Sequence, residues 1–219
     1  MSAALAVTVL VIVGMGVARR VGPGRLHLIT GPVASSLLLL AARVAGLSWA
    51  ELGLGGDALV KGLRYAGGAG GLVVVAYGIG LLIPVVRRAF LDARYRLRAG
   101  PALYTAFVAV PLATVFFEEV AFRGVLWGLV AHDHRAIWAT AVSSALFGLW
   151  HVLPGRDQAE AGRRWLVVLG TGVFTTLAGA VLAGLRDVSG SLLAPVGLHW
   201  VTNGLGVLAS AAAWAINRK

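Results

Sequence analysis

Long apolar blocks, each closed by arginines or by glycine- and proline-containing breaks, recur along the whole chain. Seven of them read as helical spans, over about 2–18, 27–45, 66–86, 101–130, 136–153, 165–185 and 190–215. About 20 apolar residues in a row suit a helix that crosses roughly 30 Å of hydrocarbon. Two stretches between the blocks have a different character. Leu47 to Tyr65 mixes Trp49, Glu51, Asp57, Lys61 and Arg64 with leucines and glycines, which predicts an interfacial turn and a short amphipathic helix. Arg87 to Arg98 sets five arginines around Phe90, Leu91 and Tyr95, which predicts a basic amphipathic stretch on a membrane surface. The first block lacks a basic start and is followed by Arg19 and Arg20, so it reads as a retained span rather than a cleaved signal. The expected fold is all-α, a polytopic transmembrane bundle of about seven spans. No repeat or linker divides residues 1–219, so a single integral membrane domain is expected.

Composition strengthens this picture. The chain is 58% hydrophobic and 13% charged, with a mean hydropathy of +0.85, too little polar surface for a soluble domain of 219 residues. The net charge of +10 would point to nucleic acid in a soluble protein, but here the arginines stand between apolar blocks. There they report orientation and contact with anionic headgroups, so membrane lipid and not nucleic acid is the expected partner. Thirteen basic residues fall on one side of the seven spans and five on the other, with Arg186 among the five and Arg123 inside a span. The positive-inside rule then predicts a multi-pass cell-membrane protein with its N-terminus outside and its C-terminus in the cytoplasm. Zero cysteines exclude disulfides, thiolate metal sites and a cysteine nucleophile.

Ionisable residues inside apolar spans are costly and mark function by default. Three clusters stand out. In the fourth block, Glu118 and Glu119 are followed by Arg123. Glu119 and Arg123 are four apart and share a helical face, whereas Glu118 is turned by about 100° and has no local partner. Such a carboxyl suits a general acid or base; the plainer reading of Glu119 and Arg123 is an ion pair that fixes packing. In the fifth block, Phe147 and His151 share a face, with Gly148 between them allowing close approach. In the last block, His199 and Asn203 lie four apart in an otherwise apolar helix entered through Pro195 and Gly197, and must find partners inside the bundle. A carboxylate, two histidines and an asparagine converging on one cavity would supply a base, a water-orienting group and two oxyanion donors.

The ordered motifs Glu118-Glu119-x-x-x-Arg123, Phe147-x-x-x-His151 and His199-x-x-x-Asn203 resemble those of the CPBP family. That family takes in type II CAAX prenyl endopeptidases and bacterial Abi-like relatives and is often labelled as intramembrane metalloproteases. The resemblance covers about residues 101–215, which it marks as a catalytic core behind the N-terminal spans and amphipathic segments of 1–100. Glu51-Leu52-Gly53-Leu54 also resembles a lead-in segment of bacterial members. The resemblance implies an intramembrane endopeptidase acting on a membrane-anchored or prenylated, CAAX-like substrate. It implies that Glu118 activates water with help from His151, that His199 and Asn203 receive the oxyanion, and that Glu119, Arg123 and Phe147 shape the site. No cofactor is expected on this reading. Zn²⁺ held by Glu118, His151 and His199 is the alternative, because one carboxylate and two imidazoles are a common catalytic zinc set.

Three other readings remain. A non-catalytic scaffold or immunity protein would not need all four polar groups. A proton-coupled transporter predicts inverted repeats, and none is found. A rhomboid-like serine protease would use Ser189-Gly190-Ser191, which reads better as a turn.

Overall fold

The computed structural model describes residues 2–22, 24–157 and 164–217. Arg163, Arg218 and Lys219, which entered the orientation count, lie outside the described residues. Seven long helices run in order: α1 (Ser2–Val21), α2 (His27–Val44), α3 (Leu59–Leu82), α4 (Ala99–Asp133), α5 (Ala136–Asp157), α6 (Arg164–Ser189) and α7 (Leu193–Ile216). No strand occurs among the described residues. Valine-rich stretches such as that of α1 favour strands in water, but in lipid every backbone N–H and C=O must be satisfied within its own segment, and the helix wins. Five helices, α1, α2, α3, α4 and α6, are long and apolar enough to cross a membrane, against about seven expected. Of the other two, α5 offers a shorter apolar run, Ala136–Val152, and α7 carries His199 and Asn203 near its middle.

α4 is the centre of the bundle. Every residue from Phe117 to Leu126 is buried. Its backbone is not a regular α-helix: three stretches, Thr105–Ala109, Pro111–Val115 and Val120–Leu126, are wound in the wider π form. The N–H groups of Val110, Phe116 and Trp127 accordingly bond the carbonyls five residues back, Thr105, Pro111 and Phe122. Pro111 is one physical cause, since it has no N–H to give. In each stretch one carbonyl accepts a side-chain donor from another helix. The Trp200 indole of α7 donates to Ala106 at 3.0 Å, the Arg19 guanidinium of α1 to Ala113, and the Ser143 hydroxyl of α5 to Phe122 at 2.8 Å. The widened turns are thus where neighbouring helices dock.

Around α4 the remaining helices pair through small residues, because lipid provides no hydrophobic force between helices and close van der Waals contact must replace it. Gly62, Ala66 and Gly70 recur at four-residue spacing on α3 and meet Leu193, Gly197 and Val201 of α7. α5 packs along α6, where Gly179 lets Ser144, Phe147 and Arg123 approach within 3.2–3.3 Å of its missing Cβ.

The segment expected to be an interfacial turn and short helix over 47–65 divides in two. Leu59 to Tyr65 is the first part of α3 itself, while residues 45–55 form a compact knot. α2 ends on Gly46 (φ 100°), with Leu47 N–H bonded to Ala42 and Gly46 N–H to Arg43, the paired bonds of a Schellman cap. One further turn follows, and Ser48 and Glu51 cap it reciprocally: Glu51 Oε2 accepts from the Ser48 N–H and hydroxyl at 2.7 Å, and the Glu51 N–H donates to Ser48 Oγ at 3.2 Å. Gly53, at φ 77°, then turns the chain against Arg186 and Leu192, where a side chain would have no room. Its carbonyl accepts from Leu192 N–H at 2.7 Å, and Arg186 donates to the Glu51 carbonyl at 2.7 Å while lying over the Trp127 ring. Arg186, counted from sequence among the charges of the outer side, is buried and ties this knot to α6. Its backbone partners explain why a cation is tolerated there.

Arg87–Arg98 is not one continuous helix. It forms short helical turns pinned to the end of α7, where Trp214 and Ser210 donate to the Asp92 carbonyl, Arg96 lies over Trp214, and Arg87 donates to Asn217.

Glu51 also bonds His132 Nδ1, at the end of α4, at 2.8 Å. Bonds from the Ser48 side chain first, then from its N–H and from His132, lower the Glu51 pKa to about 2 from 4.5. A depressed carboxylate pKa contributes stability that is present above 4.5 and is lost as pH falls toward 2. Glu51→Gln is therefore expected to lower the melting temperature in detergent at pH 7, by no more than a few degrees because the group is partly exposed. The gap from the parent should narrow between pH 4.5 and 2 in thermal scans, and a constant gap would refute the assignment.

Candidate active site

The carboxylates of Glu118 and Glu119 lie at the middle of α4, each almost fully buried, and they take different partners. Glu119 Oε1 accepts from Arg123 Nη1 at 2.9 Å on its own helix and from His199 Nδ1 of α7 at 2.7 Å. The expected Glu119–Arg123 pair therefore forms, with both side chains wholly buried. The Arg123 guanidinium is spread over the Phe147 ring, 3.9 Å from its centroid, and its other end approaches the Gly179 carbonyl at 3.4 Å. Phe147 in turn stands edge-on to Phe122 and lies 4.4 Å from the His151 ring, so it touches both the Arg123 guanidinium and His151.

Glu118 has no partner on its own helix, as its rotation predicts, but it finds partners on two others. Arg19 Nη1, from the end of α1, donates to Oε1 at 2.8 Å, and Trp150 Nε1 of α5 donates to the same oxygen at 3.1 Å. Oε2 is buried and makes no hydrogen bond among the described residues. It faces His151 Nε2 at 3.7 Å and His199 Nε2 at 3.9 Å. The tautomers follow from the opposite ring nitrogens. His151 Nδ1 lies 2.8 Å from the Phe147 carbonyl, which can only accept, so Nδ1 carries the proton and a neutral ring offers Nε2 as an acceptor. His199 Nδ1 donates to the Glu119 carboxylate. Each imidazole is thus held from behind with Nε2 turned toward Glu118 Oε2. The arrangement leaves a carboxylate oxygen and two ring nitrogens, all able to exchange protons, around one small volume.

Asn203, one turn beyond His199, is exposed and is not drawn into this network. The structure brings Glu118, Glu119, Arg123, Phe147, His151 and His199 together and leaves Asn203 exposed, outside this network. Arg19 and Trp150 were not singled out from sequence. Trp150 sits inside the motif around His151. Arg19 looks like any arginine that closes a span, and nothing local distinguishes it.

The three zinc-type groups were weighed against the same geometry. Ligands about 2 Å from a tetrahedral zinc stand about 3.3 Å from one another, closer than the 3.7 and 3.9 Å separations at Glu118 Oε2. Among the described residues no group of three His, Cys, Asp or Glu is arranged to hold a metal ion. As placed, the three groups stand wider apart than a tetrahedral zinc would hold them.

The fold is that of a polytopic helical membrane protein, with a buried carboxylate facing two oriented histidines. Residues 100–205, just under half of the chain, match the family described as type II CAAX prenyl endopeptidase Rce1-like, a match that supports a CAAX-type intramembrane endopeptidase in general. The matched segment runs from the start of α4 into α7 and holds every site residue except Arg19. No curated protein and no solved structure matches the chain.

Glu119 holds a buried cation and an imidazole at once, so removing it strands both. Glu119→Ala is expected to destabilise the protein by about 3–5 kcal/mol, read as a large drop in melting temperature or loss of folded material in detergent. Removing both charges, as Glu119→Gln with Arg123→Met, should cost less than Glu119→Ala alone.

Proposed function

We propose that the chain hydrolyses a peptide bond of a membrane-associated substrate, CAAX-like and lipid-bearing, with Glu118 as the base. The observation that carries this reading is the single free oxygen of Glu118, buried and facing Nε2 of both His151 and His199. Water between Oε2 and His151 Nε2 gives a proton to Glu118, and the hydroxide formed attacks the scissile carbonyl carbon. The negative charge that develops on the carbonyl oxygen is met by His199, acting as an imidazolium balanced by Glu119, and by the amide of Asn203. The C–N bond breaks as Glu118 passes its proton to the leaving nitrogen, releasing one peptide with a new carboxylate and one with a new amine. No covalent intermediate and no cofactor enter this scheme.

The basic asymmetry of the sequence supports a cytoplasmic C-terminus and an external N-terminus. Arg19, at the end of α1 that this orientation turns inward, reaches Glu118, which supports a cavity toward the cytoplasmic leaflet.

The test is cleavage of a farnesylated CAAX peptide and of a transmembrane-peptide mixture by protein purified in detergent, with products read by mass spectrometry. Glu118→Gln is expected to lower the rate about 10²- to 10⁴-fold, and Asn203→Ala about 10²- to 10³-fold. A strong metal chelator should leave the parent rate unchanged. Cleavage by Glu118→Gln at the parent rate would refute the mechanism. A folded parent that cleaves neither substrate would favour a non-catalytic membrane scaffold.

A further inference from the structure

A carboxylate has two equivalent oxygens, and rotation of its last bond exchanges them unless something holds one. We propose that Arg19 is a positioning residue that fixes which oxygen of Glu118 acts; this rests on the peptidase reading above. Arg19 lies on α1, outside the segment that carries the family match. At the end of an apolar helix an arginine would ordinarily extend toward water or lipid headgroups. This one turns inward. Nη1 bonds Glu118 Oε1 at 2.8 Å, and Nη2 bonds the Ala113 carbonyl in a widened turn of α4. The flat guanidinium is flanked by two rings, 5.6 Å from the centroid of Phe117 and 5.4 Å from that of Trp150.

Besides Glu118, a backbone carbonyl and two aromatic faces therefore hold it in place. The Trp150 N–H adds a second donor to the same oxygen. With Oε1 taken twice, Oε2 is the oxygen left to face His151 and His199. Glu118 is only 2% exposed and Arg19 19%, so water competes little for the pair. Without the guanidinium one neutral donor would remain, and either oxygen could rotate onto it. The active site is in this way completed by a helix that the family segment does not contain.

Four proteins test this in detergent: Arg19→Met, Arg19→Lys, Glu118→Gln and the double variant Arg19→Met with Glu118→Gln. Arg19→Met is expected to lower kcat about 10- to 100-fold with KM within about threefold of the parent, the pattern of a misplaced reacting group. Arg19→Lys should recover part of the loss, since it keeps the charge but not the forked contact. Arg19→Met should also lower the melting temperature by roughly several degrees. Adding Glu118→Gln should restore most of it, because the stranded anion is then gone.

A folded Arg19→Met with parental kcat would overturn the proposal, and so would melting losses that simply add. If the parent cleaves no peptide, the peptidase reading fails by itself. The melting cycle then decides the Arg19–Glu118 coupling alone, additivity counting against it and recovery for it. If Arg19→Met does not fold, recovery of folded protein in the double variant supports the coupling and its absence counts against it, while Arg19→Lys supplies the kinetics.

Discussion

The interaction on which the molecule turns is the burial of two consecutive carboxylates, Glu118 and Glu119, halfway along an apolar helix. An ion left unpaired in such a place costs several kcal/mol, so its partners have to arrive with the fold. They come from α4 itself (Arg123), from α1 (Arg19), from α5 (Trp150 and, facing the free oxygen, His151) and from α7 (His199). Docking those helices and satisfying those charges are one event. The widened turns of α4 serve the same end, since each offers a carbonyl to a donor from one of the same three helices.

Being adjacent in sequence gives the two carboxylates unlike surroundings. Successive residues point about 100° apart, and here that rotation gives each carboxylate one oxygen bonded twice but by different partners, Arg123 and His199 for Glu119 and Arg19 and Trp150 for Glu118. Glu119 spends one oxygen on a buried cation and an imidazole, which makes it a structural anchor that also orients His199. Glu118 has one oxygen bonded twice and the other bonded to nothing. Both carboxylates keep a second oxygen without a hydrogen bond, and what sets Glu118 apart is that its Oε2 faces Nε2 of both His151 and His199.

The knot at residues 45–55 does quieter work. By bonding the turn before α7 through Leu192, the end of α6 through Arg186 and the end of α4 through His132, it fixes where α7 starts and hence how far along it His199 falls. Locally it is held by the reciprocal Ser48–Glu51 cap and the left-handed Gly53.

The sequence by itself determined the helical membrane class, because blocks of about 20 apolar residues leave the backbone no other way to satisfy itself in lipid. It also determined the candidate site on α4, α5 and α7, since ionisable residues in apolar helices are few and costly enough to be conspicuous, and the Glu119–Arg123 pair follows from four-residue spacing alone. Residues whose meaning depends on what lies far along the chain could not be read in this way. Arg19 and Glu118 are 99 positions apart, and an arginine at a helix end carries the same local pattern whether it faces headgroups or turns inward. The burial of Arg186 was illegible for the same reason, as its partners lie about 135 residues away. The number of spans blurred where His199 and Asn203 interrupt the apolar character of α7. Local periodicity fixes what each helix is and which face each residue takes, but only packing in three dimensions decided which buried charge met which partner, and so which oxygen was left free.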